Sequence, residues 1–122
     1  MAKVLLVEDD VQIVTLYSIK LNQEGYDLVC AENGLAGLKA LDSFTPDIIL
    51  LDLRMPVMSG EKFLEKIRNQ TKFADIPVIV LTNISRSEAP KTIWHYGISD
   101  YVVKAHSTPR ELVELINRTL AS

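Results

Sequence analysis

The sequence has 122 residues, 48% of them hydrophobic and 24% charged, with a formal net charge of -3. That length fits one domain with one core, and the net acidity argues against a nucleic-acid backbone as the main partner, which demands a concentrated basic face. The single cysteine, Cys30, excludes an internal disulfide and fits a reducing compartment. No apolar run approaches the ~20 residues needed to span a bilayer, and the N-terminus enters a strand-like segment without a signal-peptide pattern. We expect a cytoplasmic chain with no membrane partner. No repeat, low-complexity tract or linker divides it, so residues 1–122 are read as one domain.

Lys3 to Val7 is a short apolar run ending in acid. Val11 to Glu24 places Ile13, Val14, Tyr17 and Leu21 at helical spacing, and Gly25 is a natural stop. Asp27 to Ala31 predicts a second strand, with Cys30 as a small core filler. Asn33 to Phe44 predicts a helix with Leu38 and Leu41 inward, and Ile48 to Leu51 a third strand entered after Pro46. Ser59 to Asn69 predicts a helix with Phe63, Leu64 and Ile67 as its apolar stripe, followed by a strand over Pro77 to Leu81.

Ser87 to Tyr96 predicts a short, weak helix capped by Ser87, with Pro90 in its first turn and Gly97 as C-cap. Asp100 to Val103 is a fifth strand. Thr108-Pro109-Arg110-Glu111 reads as a capping box with proline at the first helical position, opening a last helix to about Leu120.

Five strand–helix units result. Strands one, three and four are continuous apolar runs, as expected of a parallel sheet covered by helices on both faces. In such an open α/β sheet the site lies beyond the carboxyl ends of the strands. There the chain places Glu8-Asp9-Asp10, Asp52, Thr82 and Lys104. Clustered carboxylates resist ionising together. A hard cation with oxygen ligands removes that conflict, and Mg2+ suits a few carboxylates plus water and phosphate oxygens. Lys104 and Thr82 add a positive charge and a hydroxyl donor, which suit a phosphoryl group better than a bare metal.

Asp10 stands just before the first helix, where a cap belongs. Met55, Met58 and Trp94 are read as packing residues, and His95 and His106, without partners at metal-binding spacing, as surface residues.

The chain resembles the receiver domain of two-component response regulators over essentially its whole length. The resemblance rests on Glu8-Asp9, Asp52-Leu53-Arg54-Met55-Pro56 leading to Gly60, Leu81-Thr82, Gly97, and Asp100-Tyr101-Val102-Val103-Lys104, in that order and at strand ends. It implies a doubly wound, flavodoxin-like sheet of strand order 2-1-3-4-5. It implies Asp52 as the phosphoacceptor and Mg2+ held by Asp9, Asp52, the backbone carbonyl of Arg54 and, through water, Glu8. Lys104 and Thr82 would meet the phosphoryl oxygens, and Thr82 with Tyr101 would form the switch. The partners implied are a histidine kinase or histidine phosphotransfer protein as donor and a downstream protein or fused output domain, reached through the fourth helix, fifth strand and fifth helix.

Three positions depart from the family pattern: Asn83 stands where a small residue is usual, Ala105 where proline is usual, and His106 where an apolar aromatic is usual. Without proline at 105, a cis bond after Lys104 would cost about 2.5–4 kcal/mol, so a trans bond is expected.

Three rival readings fare worse. A metal-dependent phosphatase resembling the haloacid dehalogenases needs an Asp where Arg54 stands, and a flavodoxin-like cofactor binder would find its phosphate repelled by Glu8-Asp9-Asp10. A pseudo-receiver would lack chemical residues that are all present here. The chain is therefore expected to be a phosphoacceptor with weak autophosphotransfer and autodephosphorylation activity at most, not an enzyme.

Overall fold

The computed structural model describes residues 2–122. Five strands, β1 (Lys3–Val7), β2 (Asp27–Ala31), β3 (Ile48–Leu51), β4 (Val78–Thr82) and β5 (Asp100–Val103), form one parallel sheet in the order β2-β1-β3-β4-β5. Helices α1 (Val11–Gln23), α2 (Gly34–Ala40), α3 (Gly60–Arg68), α4 (Thr92–Tyr96) and α5 (Pro109–Ala121) connect and cover it.

The two faces follow from the period of two along each strand. Leu5, Val7, Ile49, Leu51, Val78 and Val80 point to the side of α2, α3 and α4, where Phe63, Leu64, Ile67 and Ile93 meet them. Val4, Leu6, Ile48, Leu50, Ile79 and Leu81 point to the other side, against Tyr17 and Leu21 of α1 and Leu112, Val113 and Ile116 of α5. Burial on both faces is why β1, β3 and β4 carry continuous apolar runs. Each such side chain contributes about 1.5–3 kcal/mol on leaving water.

Most element ends follow the expected cap chemistry. Asp10 caps α1 by accepting from the Gln12 and Ile13 amides, Ser59 caps α3, and both halves of the Thr108–Glu111 capping box are made. Gly25 and Gly97 take positive φ of 85° and 88°, ending α1 and α4.

Four expectations are corrected. Asn33 caps α2 rather than joining it, and the helix ends at Ala40, not Phe44. Asp42 and Ser43 are weak helix formers, and Pro46 forces its predecessor out of the helical region. Ser87 does not cap the fourth helix. It lies in a 3-10 turn, Arg86–Glu88, and Ala89 is extended at ψ 147° before α4 begins at Thr92. Proline imposes that conformation on the residue before it.

Cys30 is exposed rather than a core filler, because β2 is an edge strand with one half-solvated face. Trp94 is 40% exposed and packs its ring against that of Tyr101, a packing role as expected. Met55 and Met58 are half-buried against the core, and His95 and His106 lie on the surface, as expected.

Candidate functional site

Sheet register assembles the site. Val7 is paired with Leu51, so the next residues, Glu8 and Asp52, emerge side by side at the carboxyl edge. The Asp52 amide donates to the Val7 carbonyl at 3.0 Å, and the Glu8 amide to that of Ala31 at 2.9 Å. Thr82 is paired with Val103, which sets Lys104 one step beyond it at the same edge. The five sequence-predicted residues Glu8, Asp9, Asp52, Thr82 and Lys104 line one cleft, with Arg54 and Asn83 at its rim.

Glu8, Asp52 and Thr82 are the buried polar residues of this edge, at 1%, 6% and 1% exposure. One Asp52 oxygen accepts from the Arg54 amide at 3.4 Å, and the other faces the Lys104 ammonium at 3.4 Å. Lys104 Nζ also lies 2.5 Å from Glu8 Oε1. That contact is an ion pair off the hydrogen-bond direction, so Oε1 makes no aligned hydrogen bond. The second Glu8 oxygen accepts from the Asp10 amide at 3.1 Å.

Burial pushes the Glu8 carboxyl up to about 7, against the opposing pull of Lys104 and the Asp10 amide. Burial alone would lower the Lys104 ammonium, but Glu8 and Asp52 outweigh it and hold it above the ordinary lysine range.

The donor set fits a hard divalent cation. Oxygens of Glu8, Asp9 and Asp52 lie within 4.8 Å of one another. Three carboxylates so close carry a charge that one buried ammonium offsets only in part. All-oxygen donors are what Mg2+ prefers.

Thr82 Oγ1 accepts from the Ile84 amide at 3.4 Å, which turns the β4–α4 loop over the cleft. Tyr101 is buried, and its hydroxyl donates to the Ile84 carbonyl at 2.7 Å. The Lys104–Ala105 bond is trans, since no cis peptide occurs among the described residues.

The loop after β3 is tightly built. The Met58 amide donates to the Pro56 carbonyl at 2.7 Å, and Val57 between them has φ 68°. Positive φ at a β-branched residue is a strained arrangement.

Sequence reasoning missed Arg86, whose guanidinium lies over the rings of Trp94 and Tyr101. It is a single residue on an exposed turn with no periodic signature. Only the tertiary fold brings it to those rings.

A family model for the response regulator receiver domain matches residues 4–117. The chain is 32% identical over 121 residues to the DNA-binding dual master transcriptional regulator RpaA of Synechocystis, covering 99% of this chain and 48% of that protein. It is 33% identical over 118 residues to the phosphate regulon transcriptional regulatory protein PhoB of Escherichia coli, covering 97% of this chain and 51% of that one. The chain thus spans about half the length of these curated relatives.

Among solved structures, the chemotaxis response regulator CheY4 of Vibrio cholerae superposes with a TM-score of 0.88 at 30% identity, over 97% of this chain and 98% of that one. The receiver domain of sensor histidine kinase PA1611 from Pseudomonas aeruginosa, solved with a magnesium ion in its active site cleft, gives 0.89 at 27% identity, over 99% and 98%. The fold and strand order agree with these relatives, and the match over residues 4–117 means that the chain belongs to the response regulator receiver domains, phosphoacceptor modules of two-component signalling rather than classical enzymes.

Proposed function

We propose that Asp52 takes up the phosphoryl group, that Asp9, Asp52, the Arg54 carbonyl and, through water, Glu8 hold Mg2+, and that residues 1–122 act as one switch domain. The observation that carries this reading is the meeting of three carboxylates within 4.8 Å with a lysine ammonium 3.4 Å from Asp52.

An Asp52 carboxylate oxygen attacks the phosphorus of a phosphohistidine on a partner kinase or phosphotransfer protein. The new bond is O–P, the bond broken is P–N, and the imidazole leaves. Such transfers need little covalent chemistry beyond one nucleophile, and much charge neutralisation. Lys104 pairs with phosphoryl oxygens and holds the group close to Asp52. The Thr82 hydroxyl, released from the Ile84 amide, donates to another of them. Bound Mg2+ would neutralise charge on the carboxylates and the phosphoryl oxygens. Water attack on the phosphorus returns the aspartate and inorganic phosphate, so the activity is at most slow self-phosphorylation and self-hydrolysis.

The output surface is α4, β5 and α5, controlled through Thr82 and Tyr101 and presented to a downstream protein or a fused output domain. RpaA is named as DNA-binding, but the chain covers only 48% of it. With a net charge of -3, we assign this domain no nucleic-acid contact of its own. By family, its setting is the cytoplasm. No helix among the described residues is long and apolar enough to cross a membrane.

Incubation with a small acyl phosphate and Mg2+, followed by intact mass, tests the reading. One phosphoryl adduct is expected, absent from Asp52→Asn and absent in excess chelator. A stable adduct on Asp52→Asn, or full labelling under chelation, would refute it.

A further inference from the structure

Tyr101 is held from two sides. Inward, its hydroxyl donates to the carbonyls of Ile84 at 2.7 Å and Ser85 at 3.4 Å. Outward, its ring lies 5.6 Å from that of Trp94 on α4, at an interplanar angle of 31°. The Arg86 guanidinium covers both rings, 5.1 Å from the Trp94 centroid and 5.8 Å from that of Tyr101. Arg86 sits four residues after Thr82 on the turn that follows β4.

One exposed cation thus joins three segments: the β4–α4 turn, α4 and β5. A guanidinium within about 6 Å of an aromatic face is attracted by the ring quadrupole, and arginine also stacks on it through its plane. α4 has little else to hold its outer side. It is five residues long, has no side-chain N-cap and buries only Ile93. Arg86 is also the foremost charge acting on the buried Tyr101 phenol, ahead of Asp52, Arg54 and Glu88.

We propose that Arg86 is a positioning residue for the switch: by clamping Trp94 onto Tyr101 it keeps the tyrosine ring under the Ile84 carbonyl, and so biases the loop that follows Thr82. The inference rests on the functional reading only for its consequence at the phosphoryl site. The clamp itself is a property of the resting chain. Removing the charge frees Tyr101 to turn outward, and α4 loses its tie to β5. An exposed cation–π contact of this kind shifts such an equilibrium by roughly two- to five-fold.

The test uses Arg86→Met, which keeps an apolar stem, and Arg86→Lys, which keeps the charge. The chain has four tyrosines, so 3-fluorotyrosine labelling gives four fluorine resonances, with Tyr101 assigned through Tyr101→Phe. In Arg86→Met the outward population of Tyr101 should rise roughly two- to five-fold, with Arg86→Lys between it and the parent. The emission of Trp94, the sole tryptophan, should shift in parallel. A Tyr101 resonance and Trp94 emission identical in Arg86→Met and the parent overturn the clamp.

A beryllofluoride titration with Mg2+ reads the consequence. The Arg86→Met midpoint should move to higher concentration in proportion to the inward population that the fluorine spectra show lost, and a midpoint unmoved despite a measured loss overturns the positioning role. If the parent itself ignores beryllofluoride, the phosphoacceptor reading fails, and the fluorine spectra alone decide the clamp.

Discussion

The Lys104 ammonium lies 2.5 Å from a Glu8 oxygen, with the two side chains only 9% and 1% exposed. Each is the other's compensation for leaving water, and Asp52 shares the lysine at 3.4 Å. Removing the lysine strands a buried carboxylate, which costs several kcal/mol if it stays charged. Glu8 is already raised to about 7 by burial, so part of that cost is avoided by protonation. Lys104→Met is therefore expected to lose about 2–3 kcal/mol in urea denaturation under chelator. Unchanged stability would mean that the pair is not formed in solution.

The neighbouring acids separate two roles. Asp10 accepts from the Gln12 and Ile13 amides at 2.9 and 3.3 Å, whereas Asp9 is exposed and turned to the carboxylate cluster. Asp10→Ala should cost about 1 kcal/mol of stability and leave Mg2+ affinity intact. Asp9→Ala should do the reverse, weakening Mg2+ at least about ten-fold by calorimetry while stability in chelator holds, since a repelling charge is gone. The parent should also melt higher with saturating Mg2+, by about 2.7 kcal/mol at a hundred times its dissociation constant. Equal Mg2+ losses in the two variants would contradict this division.

Val57 in the loop after Asp52 and Gly60 at the start of α3 should respond to substitution in opposite directions. A Cβ on Gly60 would fall 2.0 Å from the Asp52 carbonyl oxygen and 2.8 Å from Leu53 Cα, both rigid backbone. Gly60→Ala should cost about 3 kcal/mol or more and disturb Asp52. Val57 holds φ 68° with 76% of its surface exposed, so its side chain contributes strain and little burial. Val57→Gly should stabilise by about 0.5–1 kcal/mol, as relief of the left-handed penalty exceeds the added chain entropy. Urea midpoints moving in the same direction would show that this loop is not built as described.

Most of this architecture was legible from residue type alone. Val4 to Val7, Ile48 to Leu51 and Val78 to Leu81 are apolar on every residue, and only a sheet covered twice buries them all. The acids and the threonine follow those runs directly, and the lysine follows the fifth strand, so finding the strands also located the cleft. What failed was local. Cys30 was misplaced because Leu28 to Ala31 is apolar at every position, like a strand buried on both faces, while β2 has one half-solvated face. The Ser87 cap failed because Pro90 acts backward on Ala89, a stronger constraint than a hydroxyl at cap spacing. Trp94 and Arg86 were missed as partners because their contact with Tyr101 joins three separate segments.

Helix α4 supplies the last prediction. Its five residues cannot stand alone, since helices this short are unstable in water without tertiary support. Besides Ile93 and the contact of Trp94 with Tyr101 and Arg86, its support is a polar seam on α3 at helical spacing. Glu61 accepts from the Thr92 hydroxyl, and Glu65 from the Tyr96 hydroxyl at 3.3 Å. Arg68 completes the seam, donating to the Tyr96 and Gly97 carbonyls at 3.0–3.3 Å and to Phe73 at 3.1 Å. Those carbonyls end α4, where the helix has no further amide to offer them. Hydrogen bonds from a charged donor contribute about 1.5–3 kcal/mol each at most, and these share one half-buried guanidinium. Arg68→Met should therefore lose about 2 kcal/mol in all. The loss should be uneven: native-state hydrogen exchange should speed at α4 and Gly97, beyond the uniform change caused by lower global stability, while β1 and β3 follow the global value. Lysine at the same position keeps the charge but not the planar fork, so Arg68→Lys should restore only part of the protection. Uniform exchange across α4 and the central strands in Arg68→Met would show that Arg68 does not hold the helix.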